Sequence, residues 1–325
     1  MISTPSLVQP QGRLSPAEAM KVAQEAPIIL RNNPKAISAS PLQFLFSAPE
    51  TADLWTIYEN LLLSCLRTAD DDAAQQCLER LTLRFGDDNP RIMAFRGLVK
   101  EAQASNGSEL DKVLAEYDVI LEEDPLNVPI AKRKAALLRS TGKSSDAIGV
   151  LTNLVDMSPT DAEAWAELSD LYVAQGLYPQ AIFALEEVLV LSPNAWNLHA
   201  RLGEVLLMAA NVNAEGSAQK HLAESVKRFS RSIELCDDYL RGYYGLKMVT
   251  DKLLSEGAKS RKNENEGFAL PEQDTLQKLN ELATKKLGEI VRRNGAQEPL
   301  WQGYSAEEIT AARALLDKST ASTVR

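Results

Sequence analysis

The sequence predicts an all-α protein, built as a linear array of helix–turn–helix units. Three observations carry that expectation. A structural phrase recurs after 34 residues; Pro125, Pro159 and Pro193 follow one another in equal steps; and Gly142 and Gly176 stand in register with them. A chain of 325 residues would ordinarily read as about two domains. An array relaxes that count, because it lengthens in one direction without needing a second core.

The recurring phrase is "AEAWAELSDLYVAQGLYPQAIFALEEVLVLSPN" from Ala162, preceded by "VPIAKRKAALLRSTGKSSDAIGVLTNLVDMSPT" from Val128. Numbered within its unit, Trp165 is position 4, Ser169 position 8, Tyr172 position 11, Ala181 position 20 and Pro193 position 32. Small residues at positions 8 and 20 let two antiparallel helices, A and B, approach closely. A glycine in the turn takes backbone angles that other residues resist. The proline ends helix B, since it donates no hydrogen bond to the ladder. Asn127, Asp161 and Asn194 follow the prolines and are expected to cap the next helix A. Ala181, Ile182, Leu185, Val188 and Leu189 form one helical stripe, not a strand alternation. Trp165 and Tyr172 are expected to be largely buried between helices, and Trp55 to lie in the core.

This is the skeleton of the tetratricopeptide repeat, a 34-residue helix pair. Upstream, "LWTIYENLLLSCLRT" with "DDAAQQCLERLTLRF", and "RIMAFRGLVKEAQ" with "ELDKVLAEYDVILEED", read as two further pairs. Downstream, "WNLHARLGEVLL" and "AESVKRFSRSIEL" form a pair with about ten extra residues between them. "YLRGYYGLKMVTDKLL" opens the last, whose long helix B is expected from about Pro271 to Arg293 after the polar insertion of residues 255–270. That makes about six pairs. The expected organisation is an N-terminal flank (1–50), a repeat solenoid (51–294) and a C-terminal capping helix and tail (295–325). In the flank, Ser15-Pro16-Ala17-Glu18 is a capping box opening a short helix that ends before Pro27, followed by a proline-rich extended stretch. "SAEEITAARALLDKS" repeats the Ser-x-x-Glu start. Trp301, just before it, is expected to anchor that capping helix.

Composition narrows the function. A net charge of −10 argues against a general nucleic-acid binder. Cys65, Cys77 and Cys236 form no CxxC pair and suit a reducing compartment. No apolar run approaches the roughly 18–20 residues needed to span a bilayer, and "MISTPSLVQPQGR" lacks the form of a secretory signal. The Asn106-Gly107-Ser108 sequon is therefore expected to carry no glycan. His199 and His221 have no metal-ligand spacing and are expected to be structural. Asp70-Asp71-Asp72 reads as an acidic helix start favoured by the helix dipole rather than a cation site. No catalytic motif or phosphate-binding loop occurs, so neither an enzyme nor a cofactor is expected.

What remains is a binding surface. In such arrays helix A lines the inner wall through positions 2, 5, 9 and 12. The candidates are Lys132, Arg133 and Arg139 on one helix A, Asp170 and Val173 on the next, then Glu204 and Leu207, then Tyr244. Lys132, Arg133, Lys134, Arg139 and Lys143 make a basic patch, either a solvated face or a seat for an acidic partner segment. A subset of these repeats grips chaperone carboxylates with Lys at position 5 and Asn at position 9. Lys132 fits the first, but Ala136 holds the second and Asp170 follows, which disfavours carboxylate capture.

Beyond the generic skeleton, "YDVILEEDPLNVPIAKRKAALLRSTGKSSDAI", "DDAAQQCLERLTLRFGDD", "LWTIYENLLLSCL" and the Ala162 unit resemble the family of subunit 2 of the endoplasmic-reticulum (ER) membrane protein complex, over roughly Leu54 to Arg293. The resemblance implies a non-catalytic scaffold on the cytosolic side of the ER membrane, without a membrane span of its own. Its partners would be cytosolic tails or loops of membrane subunits and another soluble subunit, in a hetero-oligomeric complex that inserts tail-anchored and multipass membrane proteins. The alternative is a soluble repeat adaptor or co-chaperone binding peptide segments.

Overall fold

The computed structural model describes residues 7–8, 14–32, 52–212, 215–256, 270–296 and 303–323. Among them are fourteen helices and no strand, an all-α tetratricopeptide-repeat fold. The chain forms two compact units that divide between Met157 and Ser158. The first holds α1 (Pro16–Asn32), α2 (Ala52–Arg67), α3 (Asp71–Phe85), α4 (Pro90–Gln103), α5 (Gly107–Glu123), α6 (Val128–Ser140) and α7 (Ser144–Met157). The second holds α8 (Ala162–Ala174), α9 (Tyr178–Leu191), α10 (Trp196–Val212), α11 (Glu215–Leu235), α12 (Leu240–Glu256), α13 (Gln273–Ala296) and α14 (Ala306–Thr323). Helix A begins at Ala52, Pro90, Val128, Ala162, Trp196 and Leu240, in steps of 38, 38, 34, 34 and 44. The 34-residue period is thus a property of the middle, and the first pairs are four residues longer.

Local chemistry explains the ends. Asn89, Asn127 and Asp161 are N-caps whose side chains accept from backbone amides of the first turn. Asn194 is not one, contrary to expectation. The residue equivalent to Asp161 is Ala195, whose carbonyl accepts from Leu198 and His199 while Asn194 receives Arg231 Nη2 at 3.5 Å. Asp70 accepts from the Ala73 amide, and Asp71 and Asp72 occupy the first turn of α3. Gly142 and Gly176 take φ of +78° and +74° in their turns, the left-handed region that glycine enters without a Cβ clash. A further equivalence follows the repeat register. Trp165 Nε1 donates to the Pro159 carbonyl at 2.9 Å, and His199 Nε2 meets the Pro193 carbonyl at 3.0 Å, one repeat later. His199 is buried, whereas Trp165 and Tyr172 are only partly covered, less than expected. Trp165 lies over the repeat's start, edge-on to Phe183, which is itself 55% exposed. Trp55 belongs to the core, with Tyr58 and Phe85 against it.

Helices A and B meet through small residues. Ser169 Oγ donates to the Ala181 carbonyl at 3.1 Å between α8 and α9, and Ser225 Oγ donates to the Gly203 carbonyl at 2.8 Å between α11 and α10. Phe229, 0% exposed, lies between Gly203 and Gly245, where an added Cβ at Gly245 would overlap its ring. In the first unit Tyr117 rests on Gly97 in the same manner.

One element departs from the sequence reading. The α1 helix does not stop before Pro27 but runs on to Asn32. Pro27 removes one hydrogen bond and crowds the preceding turn, costing about 3 kcal/mol. Burial of Val22, Ala23, Ala26 and Leu30 against α2 and α3 offsets that, and Arg80 Nη2 closes the helix end on the Leu30 carbonyl at 2.6 Å. The extra residues after "WNLHARLGEVLL" mostly lengthen α10 and α11, to 17 and 21 residues. The α14 helix packs on α13, burying Ile309 and Ala312 with the α11–α13 core. Tyr304 OH donates to the Asp238 carbonyl and receives the Leu240 amide, pinning the segment before α14 to the α11–α12 turn. Both Ser-x-x-Glu boxes close reciprocally, Ser15 with Glu18 and Ser305 with Glu308. The proline-rich stretch after residue 32, most of the polar insertion and Trp301 lie outside the described residues.

Candidate partner surface

In the first unit, α2, α4 and α6 line a cleft. Its floor is Leu63, Leu66 and Leu98, and one end is closed by Glu101 and Arg133. The placement of Arg133 differs from a surface cation. Its guanidinium grips Glu101 with two parallel hydrogen bonds, Nε to Oε1 at 2.8 Å and Nη2 to Oε2 at 2.5 Å. The Glu101 side chain is 10% exposed. Tyr117 OH donates to the same Oε1 at 2.5 Å. Burial first, and donation to the Glu101 carboxylate second, push the Tyr117 phenol well above its ordinary range. Arg133 is therefore committed to an internal network that ties α4, α5 and α6 together.

The rest of the basic patch is offset in the same way. Lys134 pairs with Asp118 and Lys143 with Asp111 at 2.8 Å, both carboxylates coming from α5. Lys132 is half-buried and Arg139 exposed. Arg133, Lys134 and Lys143 thus meet α4 or α5 carboxylates, and the patch is less basic than its sequence. Residues on α5 fold back beside α6 by virtue of the hairpin, an adjacency that linear spacing does not display.

In the second unit the acidic candidates are also engaged. Arg201 Nη2 reaches Asp170 Oδ1 at 2.9 Å from α10 to α8, and Nη1 reaches Glu204 Oε2 at 3.1 Å. Arg201 was not among the candidates, although it holds the same repeat position as Arg133. Val173 is half-buried. Leu207 is 9% exposed and belongs to the core, because the lengthened α11 covers that part of α10. Tyr244 is half-buried, packed against the same core. Further on, Lys247 is buried and bonded to both Asp251 oxygens at 2.8 and 3.0 Å and to Asn280 Oδ1 at 3.2 Å, joining α12 to α13. His221 sits on α11, its ring held below the usual imidazole range by burial and then by Lys220.

These geometries describe helix A surfaces stiffened by internal ion pairs. Among the described residues, no cluster of histidine, cysteine or carboxylate side chains could hold a metal ion, and no helix is long and apolar enough to cross a membrane.

Residues 96–221 match the family described as the EMC2 TPR-like repeat domain. The chain is 34% identical over 240 residues to the TPR repeat protein oca3 of Schizosaccharomyces pombe, covering 72% of this chain and 82% of that one. It is 29% identical to ER membrane protein complex subunit 2-A of Xenopus laevis, covering 72% and 76%. Subunit 2 of the ER membrane protein complex of Saccharomyces cerevisiae is 22% identical, covering 84% and 88%. The chain belongs to the family of ER membrane protein complex subunit 2, a family of tetratricopeptide-repeat proteins.

Proposed function

We propose that this chain is a non-catalytic scaffold subunit of an ER membrane protein complex. It sits peripherally on the cytosolic side of the ER membrane and bridges other subunits. In that position it supports insertion of tail-anchored and multipass proteins. The observation that carries this reading is the match to subunits of that complex over 76% and 88% of the relatives' length. The ion-paired helix A surfaces support it physically. Arg133–Glu101 and Arg201–Asp170 hold neighbouring helices A in fixed relation within each unit, and a rigid surface loses less entropy on docking. The lack of any described helix able to span a bilayer fits a peripheral seat. Lys132, Arg139, Asp170, Val173, Glu204 and Tyr244 remain the proposed contacts. Arg133 and Leu207 contribute indirectly, by positioning helices.

The test is affinity purification of the tagged full chain from membranes solubilised in mild detergent, followed by identification of what comes with it. Membrane subunits of the complex are expected, together with reduced levels of tail-anchored proteins when the chain is depleted. Recovery of chaperones alone would replace the scaffold with the adaptor reading.

A further inference from the structure

The outer face of α9 carries apolar side chains that the fold does not require. Phe183 and Val190 stand seven residues apart, two helical turns, so they leave one stripe, with Glu186 between them. Val190 is 74% exposed, more than Phe183. The same register positions hold Gly149 and Asp156 in α7, and Lys227 and Glu234 in α11, all four exposed. A helix B of this array therefore needs no large apolar residue at either place. Trp165 departs from its equivalents in the same way. Its place holds Ala131 one repeat earlier and the buried His199 one repeat later, whereas the tryptophan is partly covered and meets Phe183 with ring centroids 5.9 Å apart. Trp165, Phe183 and Val190 thus make an apolar ridge led by aromatic rings, the composition of a docking patch and not of a solvated helix face. The charge around it has one sign. Between Ser158 and Ala200 stand Asp161, Glu163, Glu167, Asp170, Glu186 and Glu187, and no lysine or arginine. Asp161 caps α8 and Asp170 is paired with Arg201. Glu186, on the ridge itself, shares Arg228 with Glu224, at 3.5 Å against 2.9 Å.

We propose that this ridge is a docking surface for a basic amphipathic helix of another protein. Its bulky apolar side chains, at i, i+3 or i+4 and i+7, rest on Trp165, Phe183 and Val190, and its lysines or arginines lie beside them toward Glu186 and Glu187. The charge selects that occupant from the others an apolar face could take. A second copy docked about a two-fold axis through the ridge would set Glu186 near its own counterpart. An anionic lipid surface would meet the same carboxylates. Like charges penalise both. The ridge lies on helix B, apart from the helix A contacts proposed above, and the inference does not depend on membership of a membrane complex.

A labelled synthetic helix of about 14 residues, four turns, with leucines at i, i+3, i+4 and i+7 and lysines on its flanks, is the probe. It is titrated into the full-length chain and followed by fluorescence anisotropy. Phe183→Lys with Val190→Glu gives α9 the residue types that α11 carries at these positions and leaves the net charge unchanged. That variant should melt like the unchanged chain and bind the probe about tenfold more weakly. Phe183→Ala, which removes an exposed ring only, is the companion variant and should weaken binding about fivefold. Glu186→Gln with Glu187→Gln should weaken it about threefold at low salt and flatten its salt dependence. A probe with glutamates in place of the lysines should bind about tenfold more weakly than the lysine probe. Unchanged affinity in both Phe183 variants, or equal affinity for the two probes, would overturn the proposal. So would binding of the chain to phosphatidylserine vesicles that Phe183→Ala abolishes, or a dimer in sedimentation that Phe183→Ala dissociates, since each gives the ridge a different occupant.

Discussion

Tyr117 in the first unit and Phe229 in the second solve one packing problem with different consequences. Each is a helix B aromatic pressed onto a helix A glycine, Gly97 for Tyr117, Gly203 and Gly245 for Phe229. Each is almost fully buried, at 1% and 0% exposure. Phe229 ends there: its site is apolar and fills the space between α10 and α12. Tyr117 carries a hydroxyl, and that hydroxyl draws in Glu101, which draws in Arg133. That hydroxyl thus joins a pair that already commits Arg133 internally, and together they tie three helices. The lesson is that the face a repeat presents to partners depends on what its core requires.

That contrast can be broken most forcefully by deletion. Phe229→Ala should cost about 3–5 kcal/mol, since two glycines flank the ring and neither can reach into the cavity. Urea denaturation measures it, and a small loss would mean that α10 and α12 collapse onto each other. Exchanging the two chemistries is the sharper test. Phe229→Tyr places a hydroxyl among apolar neighbours and should cost about 1–3 kcal/mol. Tyr117→Phe should cost only about 1 kcal/mol, because Arg133 still satisfies Glu101. Equal effects would erase the distinction between the sites. Where helices A and B are closest, Ala181→Leu should cost roughly 1–3 kcal/mol by overpacking, read as a lower denaturation midpoint.

Alkaline pH should separate the units further. Burial pushes the Cys65 thiol up to about 11 and the Cys77 thiol up to about 12, from an ordinary value of 9.0. Both folded values are raised, so the unfolded chain ionises first. Their contribution is complete below pH 9 and falls as pH rises from there through the folded values, by about 1.4 kcal/mol per thiol per pH unit. In the second unit the burial-raised phenol of Tyr243, at about 12, begins its loss only above 10.0. The Cys65→Ala, Cys77→Ala variant should therefore show a shallower fall in stability between pH 9 and pH 10 than the unchanged chain. The smallest effect is expected at the surface. Lys132→Glu with Asp170→Lys should change stability by only about 0–1 kcal/mol, in a chain whose partner recovery in a pull-down is nonetheless reduced. Undiminished recovery would remove both residues from the contact surface.

Much of the fold was legible because its determinants are local. The helix pairs, the turn glycines, the caps at Asn127 and Asp161 and the two Ser-x-x-Glu boxes each involve residues within a few positions of one another, and the 34-residue period lines them up. Asn194 failed as a cap because the match was made to the proline before it, not to the repeat position. Trp165 was placed too deep because position 4 was read as a core position, yet its ring lies edge-on to a half-exposed Phe183 and is only partly covered.

The sequence by itself determined that this protein is a stack of helix hairpins, where its central repeats begin and end, and which family it resembles. Tertiary structure alone decided which surface charges remain exposed. Arg133 finds Glu101 and Arg201 finds Asp170 across 32 and 31 residues of chain. It also decided that α1 passes through Pro27 and that the extra residues lengthen α10 and α11. The physical reason is common to all of them. A hydrogen bond within a turn is fixed by spacing, but an ion pair between neighbouring hairpins, or burial that outweighs a proline, depends on how closely helices pack.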